Sequence, residues 1–183
     1  LSYHLFGVNG FAYKFPSFIF CLVGIWAVYR AACLLICASA GRVAALVYAS
    51  STAFLLGMND VRMDGILSSA VAISVWQMAG YLKSRGIKYI IGAALGMAIG
   101  FCTKGHIGVF VPVLFLFFYL LVQKDWNKLL DLRLLLGVAC FFLLIAPVVY
   151  CYYLQFNLHP ELVVRGKDHI DGVRFILWDQ TLG

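Results

Sequence analysis

Charge is what this sequence has least of. Only 12% of its 183 residues are Asp, Glu, Lys or Arg, against 63% that are hydrophobic, and the mean hydropathy is +0.93. Soluble domains carry about 25% charged residues, so a water-exposed globular fold is excluded. The chain reads as an all-α, multi-pass membrane protein. Proline is scarce too, with four residues in the whole chain, and few apolar runs are interrupted. Cys21, Cys33, Cys37, Cys102, Cys140 and Cys151 lie in apolar runs or at their ends, and no two form a C-x-x-C pair. That pattern supports neither a disulfide framework nor a metal cluster. The first polar stretch does not have the form of a signal peptide. The chain starts at Leu1 without a methionine and reads as a piece of a longer protein.

What is present is a series of apolar runs. They predict a transmembrane helical bundle of about six spans, near residues 15–36, 43–58, 65–82, 89–103, 107–122 and 134–153. These make up a block over 1–155, and the less apolar 156–183 reads as an extracytoplasmic membrane-surface segment. Lys14 and Pro16 stand where the first helix would begin, since proline is tolerated in a first turn. Gly41-Arg42 marks the next loop, and Pro147 is expected to break the sixth span. Tyr150, Tyr152 and Tyr153 form an aromatic belt at its exit. Gly92, Gly96 and Gly100 recur every fourth residue, the small-xxx-small pattern of close helix packing rather than a phosphate loop.

The net charge of +6 follows the loops, so nucleic acid is not an expected partner. One set of loops (Arg30/Arg42, Lys83/Arg85/Lys88, Lys124/Lys128/Arg133) holds eight basic and two acidic residues, and the other holds six of each. The positive-inside rule places the first set in the cytoplasm. Both chain ends, the polar knot 59–64 and the turn at Lys104 are then extracytoplasmic. In a bacterium this means the cytoplasmic membrane, with the active face outward.

Two polar spots carry the candidate chemistry. From Tyr89 to Gln123, Lys104 and His106 are the only strongly ionisable residues, in a turn between two runs barely long enough to cross. A lysine there snorkels to the headgroups or holds an anion, because an unpaired charge at that depth is costly. Arg62 and Asp64 sit between two apolar helices and read as a structural ion pair or as a hold on the loop. His106 reads as a polar turn residue in preference to a metal ligand.

At these residues the sequence resembles a known group. Arg62-Met-Asp64-Gly-Ile-Leu is similar to the R-x-D-x-x-L signature of polyprenyl-phosphate-sugar-dependent glycosyltransferases, the protein O-mannosyltransferases and bacterial aminoarabinose transferases. Thr103-Lys104-Gly105, with Pro112 further on, resembles their T-K-G-x-x-x-x-x-x-P, with His106 departing from the common T-K-G-P form. Phe6 to Ser17 resembles F-G-x-x-x-F-x-x-R-x-P-S with Lys14 for arginine, and Gly172 to Gln180 resembles the segment after this membrane block. The resemblance implies a GT-C membrane fold and transfer of a sugar from a polyprenyl-phosphate donor to a lipid or protein acceptor, among membrane lipids. It implies substrate-binding roles for Lys104, Arg62, Asp64 and His106, and a catalytic acid upstream of Leu1. It assigns no cofactor and is compatible with a divalent metal ion. The alternative is a non-enzymatic scaffold or transport subunit packed against a partner. A transporter would show helices broken at the midplane, for which Pro147 is the one candidate.

Overall fold

The computed structural model describes residues 7, 9–51, 63–124, 131–157 and 174. Arg62, Trp126 and the apolar run 175–178 lie outside the described residues, as does nearly all of the segment 156–183. Among the described residues, six α-helices follow one another: α1 Gly10–Leu35, α2 Ala38–Ser50, α3 Met63–Ser84, α4 Ile87–Lys104, α5 Ile107–Gln123 and α6 Leu132–Tyr152. A π-helical turn, Tyr153–Asn157, prolongs α6. Among the described residues, four helices (α1, α3, α4 and α6 with its extension) are long and apolar enough to cross a membrane. At 17 residues α5 sits at the short end of the crossing range. The large side chains on the outer faces are bare: Leu143 is 75% and Val122 75% exposed. Water would not tolerate such a surface, and lipid does. The chain is a multi-pass helical membrane bundle.

Several helix limits differ from those the sequence suggests. α1 starts at Gly10, because the Asn9 side chain caps it by accepting from the Ala12 amide at 2.8 Å. Pro16 is consequently inside the helix and not at its start. Gly41 and Arg42 are not a loop either; they belong to α2. The break falls one turn earlier, at Ile36 and Cys37, where the backbone leaves helical geometry. Gly41 instead lets α2 fold back on α1, since a Cβ there would strike Cys33 and Tyr29. At 13 residues α2 is too short to cross by itself. Pro147 does not break α6, which is helical from Leu132 to Tyr152. It removes one backbone donor, and membrane helices tolerate this where packing holds the helix together.

With no water to drive helices together inside lipid, contact depends on small residues. Gly24 of α1 lies directly against Ser69 of α3, and Trp26 meets Trp76 edge-on at 4.6 Å. Arg30 stacks over Trp26 at 5.9 Å, which accommodates a charge near the end of an apolar helix. Gly96 packs on Ser74 and the Ala70 carbonyl, and Gly92 on Gln77, so the glycine stripe of α4 faces α3. Gly100 turns to α5, where it meets Gly108 backbone to backbone. α3 and α4 are therefore an antiparallel pair in close contact. α6 runs parallel to α4, from Gly137 against Ile90 to the cluster of Ala98, Phe101 and Ile145.

These directions divide the α3–α6 block into two ends. One end carries the start of α3, the α4–α5 turn and the close of α6. The other carries the α3–α4 turn and the start of α6, and here the polar contacts are dense. Asp131 caps α6 by accepting from the Arg133 amide at 3.1 Å. The Tyr81 hydroxyl donates to Asp131 at 2.7 Å, and Arg85 pairs with the same oxygen at 3.1 Å. The Arg133 guanidinium donates to the Arg85 carbonyl. Arg85 itself is left-handed, with φ 55°, a cost of about 1 kcal/mol or more that these contacts help to offset. The Tyr81 hydroxyl first, then the Arg133 amide and Arg85, hold the Asp131 carboxyl below the usual carboxylate range. A carboxyl lowered on folding adds stability above its unfolded pKa and loses it as pH falls through the folded one. The protein's melting temperature should accordingly fall as pH drops from about 4. Asp131→Asn should lower it at neutral pH and flatten that acid limb. A melting curve in detergent at stepped pH tests this, and an unchanged acid limb would remove the clamp from the account.

Candidate functional site

The other end holds the residues that the sequence singles out. Asp64 stands in the first turn of α3 and Lys104 is the last residue of α4. Each suits its place, since a helix N-terminus favours an anion and a C-terminus a cation. The α3–α4 packing brings the two ends level, and the Lys104 ammonium forms an ion pair with the Asp64 carboxylate. The two side chains are 45% and 53% exposed, so the pair is open to a third, anionic group.

The turn beyond Lys104 is two residues long, Gly105 and His106, before α5 begins. Gly105 has φ +63°, a conformation that costs glycine least. Its amide donates to the Phe101 carbonyl at 2.8 Å, which closes α4. Amides of Gly108, Val109 and Phe110 bond back to Gly105 and His106 and start α5. The Gly100–Gly108 contact beneath brings the two helix backbones directly together. His106 sits in the same turn, its ring edge-on to Phe101 at 5.9 Å. The structure thus unites Asp64 and Lys104 and places His106 in the adjoining turn. Arg62 lies outside the described residues.

A groove of about 620 Å³ runs along the bundle and includes Asp64 in its lining. Its walls are Ala31, Leu35, Val71, Ala72, Val75 and Val111 among others, from α1, α3 and α5, with Tyr48 of α2. The Tyr48 hydroxyl donates to Ser68 at 3.1 Å at its side. Among the described residues, Asp64 is the one charged group in the lining. An apolar channel ending at a half-exposed ion pair suits an amphiphile with a long hydrocarbon tail and a charged head. Periodicity could not have shown the groove, because its walls come from helices separated by dozens of residues. Among the described residues, no three of His, Cys, Asp and Glu gather as a metal site would need.

Residues 1–151 match the family described as dolichyl-phosphate-mannose-protein mannosyltransferase. The chain belongs to this family. It is therefore a membrane protein of a glycosyltransferase family, and that family in general draws its sugar from a polyprenyl-phosphate-linked donor. The match covers both the Asp64 and the Lys104 segments. No curated protein and no solved structure matches the chain.

Proposed function

We propose that the protein transfers a sugar from a polyprenyl-phosphate donor to a lipid or protein acceptor, as the membrane part of a GT-C enzyme in the protein O-mannosyltransferase and aminoarabinose transferase group. The observation that carries the reading is the Asp64–Lys104 pair at the apolar groove. The donor's tail lies in the groove and its phosphate meets the Lys104 ammonium. As the sugar–phosphate bond breaks, negative charge grows on the departing phosphate. A fixed cation at that point lowers the barrier. Asp64 holds Lys104 in position until the donor arrives, and then its carboxylate is free to accept from sugar hydroxyls; Arg62 and His106 are assigned substrate contacts from their motifs in the sequence. The acidic residue that activates the acceptor is assigned upstream of Leu1. The basic residues Lys83, Arg85, Lys88 and Arg133 at the opposite end of the α3–α6 block support an extracytoplasmic site, in a bacterial cytoplasmic membrane.

Filling the groove tests the reading. Ala72 is a half-buried lining residue. In the intact enzyme Ala72→Phe should raise the KM for a long-chain donor about tenfold, equivalent to about 1.4 kcal/mol. The acceptor KM should not move, and a donor with a short prenyl tail should be spared. Steady-state kinetics with the two donors reads this out. Equal losses with long and short donors would count against the groove as the tail site.

A further inference from the structure

We propose that the end of the bundle opposite Asp64 and Lys104 binds one anionic phospholipid. Its headgroup phosphate rests on Arg85 and Arg133, and one hydrocarbon chain enters a cavity between α3, α4, α5 and α6. The site is separate from the donor site and does not depend on the sugar-transfer reading.

The cavity measures about 270 Å³, just below the ~300 Å³ at which small-molecule sites begin. That is room for a segment of chain, not for a whole lipid. Met78, Ala93, Met97 and Leu116 form apolar walls. Val113 and Val138, 47% and 49% exposed, form its lip on the lipid-facing surface. A chain can therefore enter from the bilayer without crossing water. Tyr81 and Leu134 also line it. Tyr81 links the cavity to the polar cluster, because its hydroxyl is bonded to Asp131.

Charge names the occupant. Lys83, Arg85, Lys88 and Arg133 gather at this end, and Asp131 is the only acid facing them among the described residues. Arg85 commits one nitrogen to Asp131 and Arg133 one to a carbonyl. A guanidinium has five N–H donors, so both keep donors for a phosphate. Arg133 and Lys88 are exposed at the surface. Basic residues at a membrane surface attract anionic lipid. A zwitterionic lipid would fill the cavity equally well but would leave the excess charge unmatched.

The test is thermal stability of the intact, delipidated protein with added lipid. Phosphatidylglycerol at about a hundredfold excess over its Kd should raise the melting temperature by about 5 °C. Phosphatidylcholine should give much less. Arg133→Gln should remove most of the phosphatidylglycerol increment, and so should Val138→Trp, which fills the cavity from its half-exposed lip. Arg42→Gln, an equal loss of charge on exposed α2, should keep it. Either of the first two variants retaining the full increment would overturn the proposal. Equal increments from the two lipids would do the same. A polyprenyl phosphate giving the larger increment, lost in Arg133→Gln, would overturn it in favour of a carrier-lipid site.

Discussion

Lys104→Met should reduce sugar transfer by the intact enzyme about a hundredfold at matched protein levels. Methionine keeps the apolar stem and removes the ammonium, so the change isolates the charge. Loss of one donor to a developing oxyanion costs about 10²–10³ in rate. The lower figure applies here because Lys104 is 45% exposed and water screens part of its field. Arginine should restore little, since its planar fork sets its donors at different points from the ammonium. Insertion and yield should stay normal, although Asp64 loses its partner. A lysine that merely snorkels to headgroups makes the opposite forecast: near-full activity for methionine and full tolerance of arginine. Asp64→Asn separates pairing from catalysis. It should weaken the placement of Lys104 and cost less than Lys104→Met.

Gly108→Val should abolish most of the folded yield. An added Cβ at Gly108 would overlap the backbone of Gly100, which has no rotamer to yield. Valine adds two methyl groups to that overlap. The α4–α5 hairpin must open, at about 3 kcal/mol or more, and Lys104 is carried away from Asp64 with it. Gly92→Ala, in the glycine stripe of α4, is the control, because its Cβ meets the flexible side chain of Gln77. It should fold with a modest loss. Fluorescence-detected size exclusion in mild detergent compares the two. Monodisperse Gly108→Val at wild-type yield would mean that the hairpin is not packed as described.

The features legible in the sequence are those with a short-range signature. The Gly92, Gly96 and Gly100 stripe repeats at helical spacing and does face neighbouring helices. The Lys104 turn is bounded by two apolar runs, and Gly105 ends α4 there. The meeting of Asp64 with Lys104 follows from alternating helix direction once both turns are placed on one end. The features that were not legible depend on long-range contacts. Tyr81 and Asp131 are 50 residues apart, and nothing local distinguishes that tyrosine from others at helix ends. The basic loops that suggest an orientation also hide a built cluster, Arg85 with Asp131 and Arg133. Proline is a poor guide inside lipid, where Pro16, Pro112 and Pro147 all sit within helices. Gly41, which by sequence marks a loop with Arg42, serves instead as a contact point between α1 and α2.

Equilibrium binding of a polyprenyl phosphate to the intact protein, compared across Lys104→Met and Arg133→Gln, tests the central claim most directly. The claim is that the Asp64–Lys104 end receives the carrier phosphate. It predicts a Kd raised about tenfold or more in Lys104→Met and unchanged in Arg133→Gln. Binding unchanged in Lys104→Met, or lost in Arg133→Gln, would contradict it.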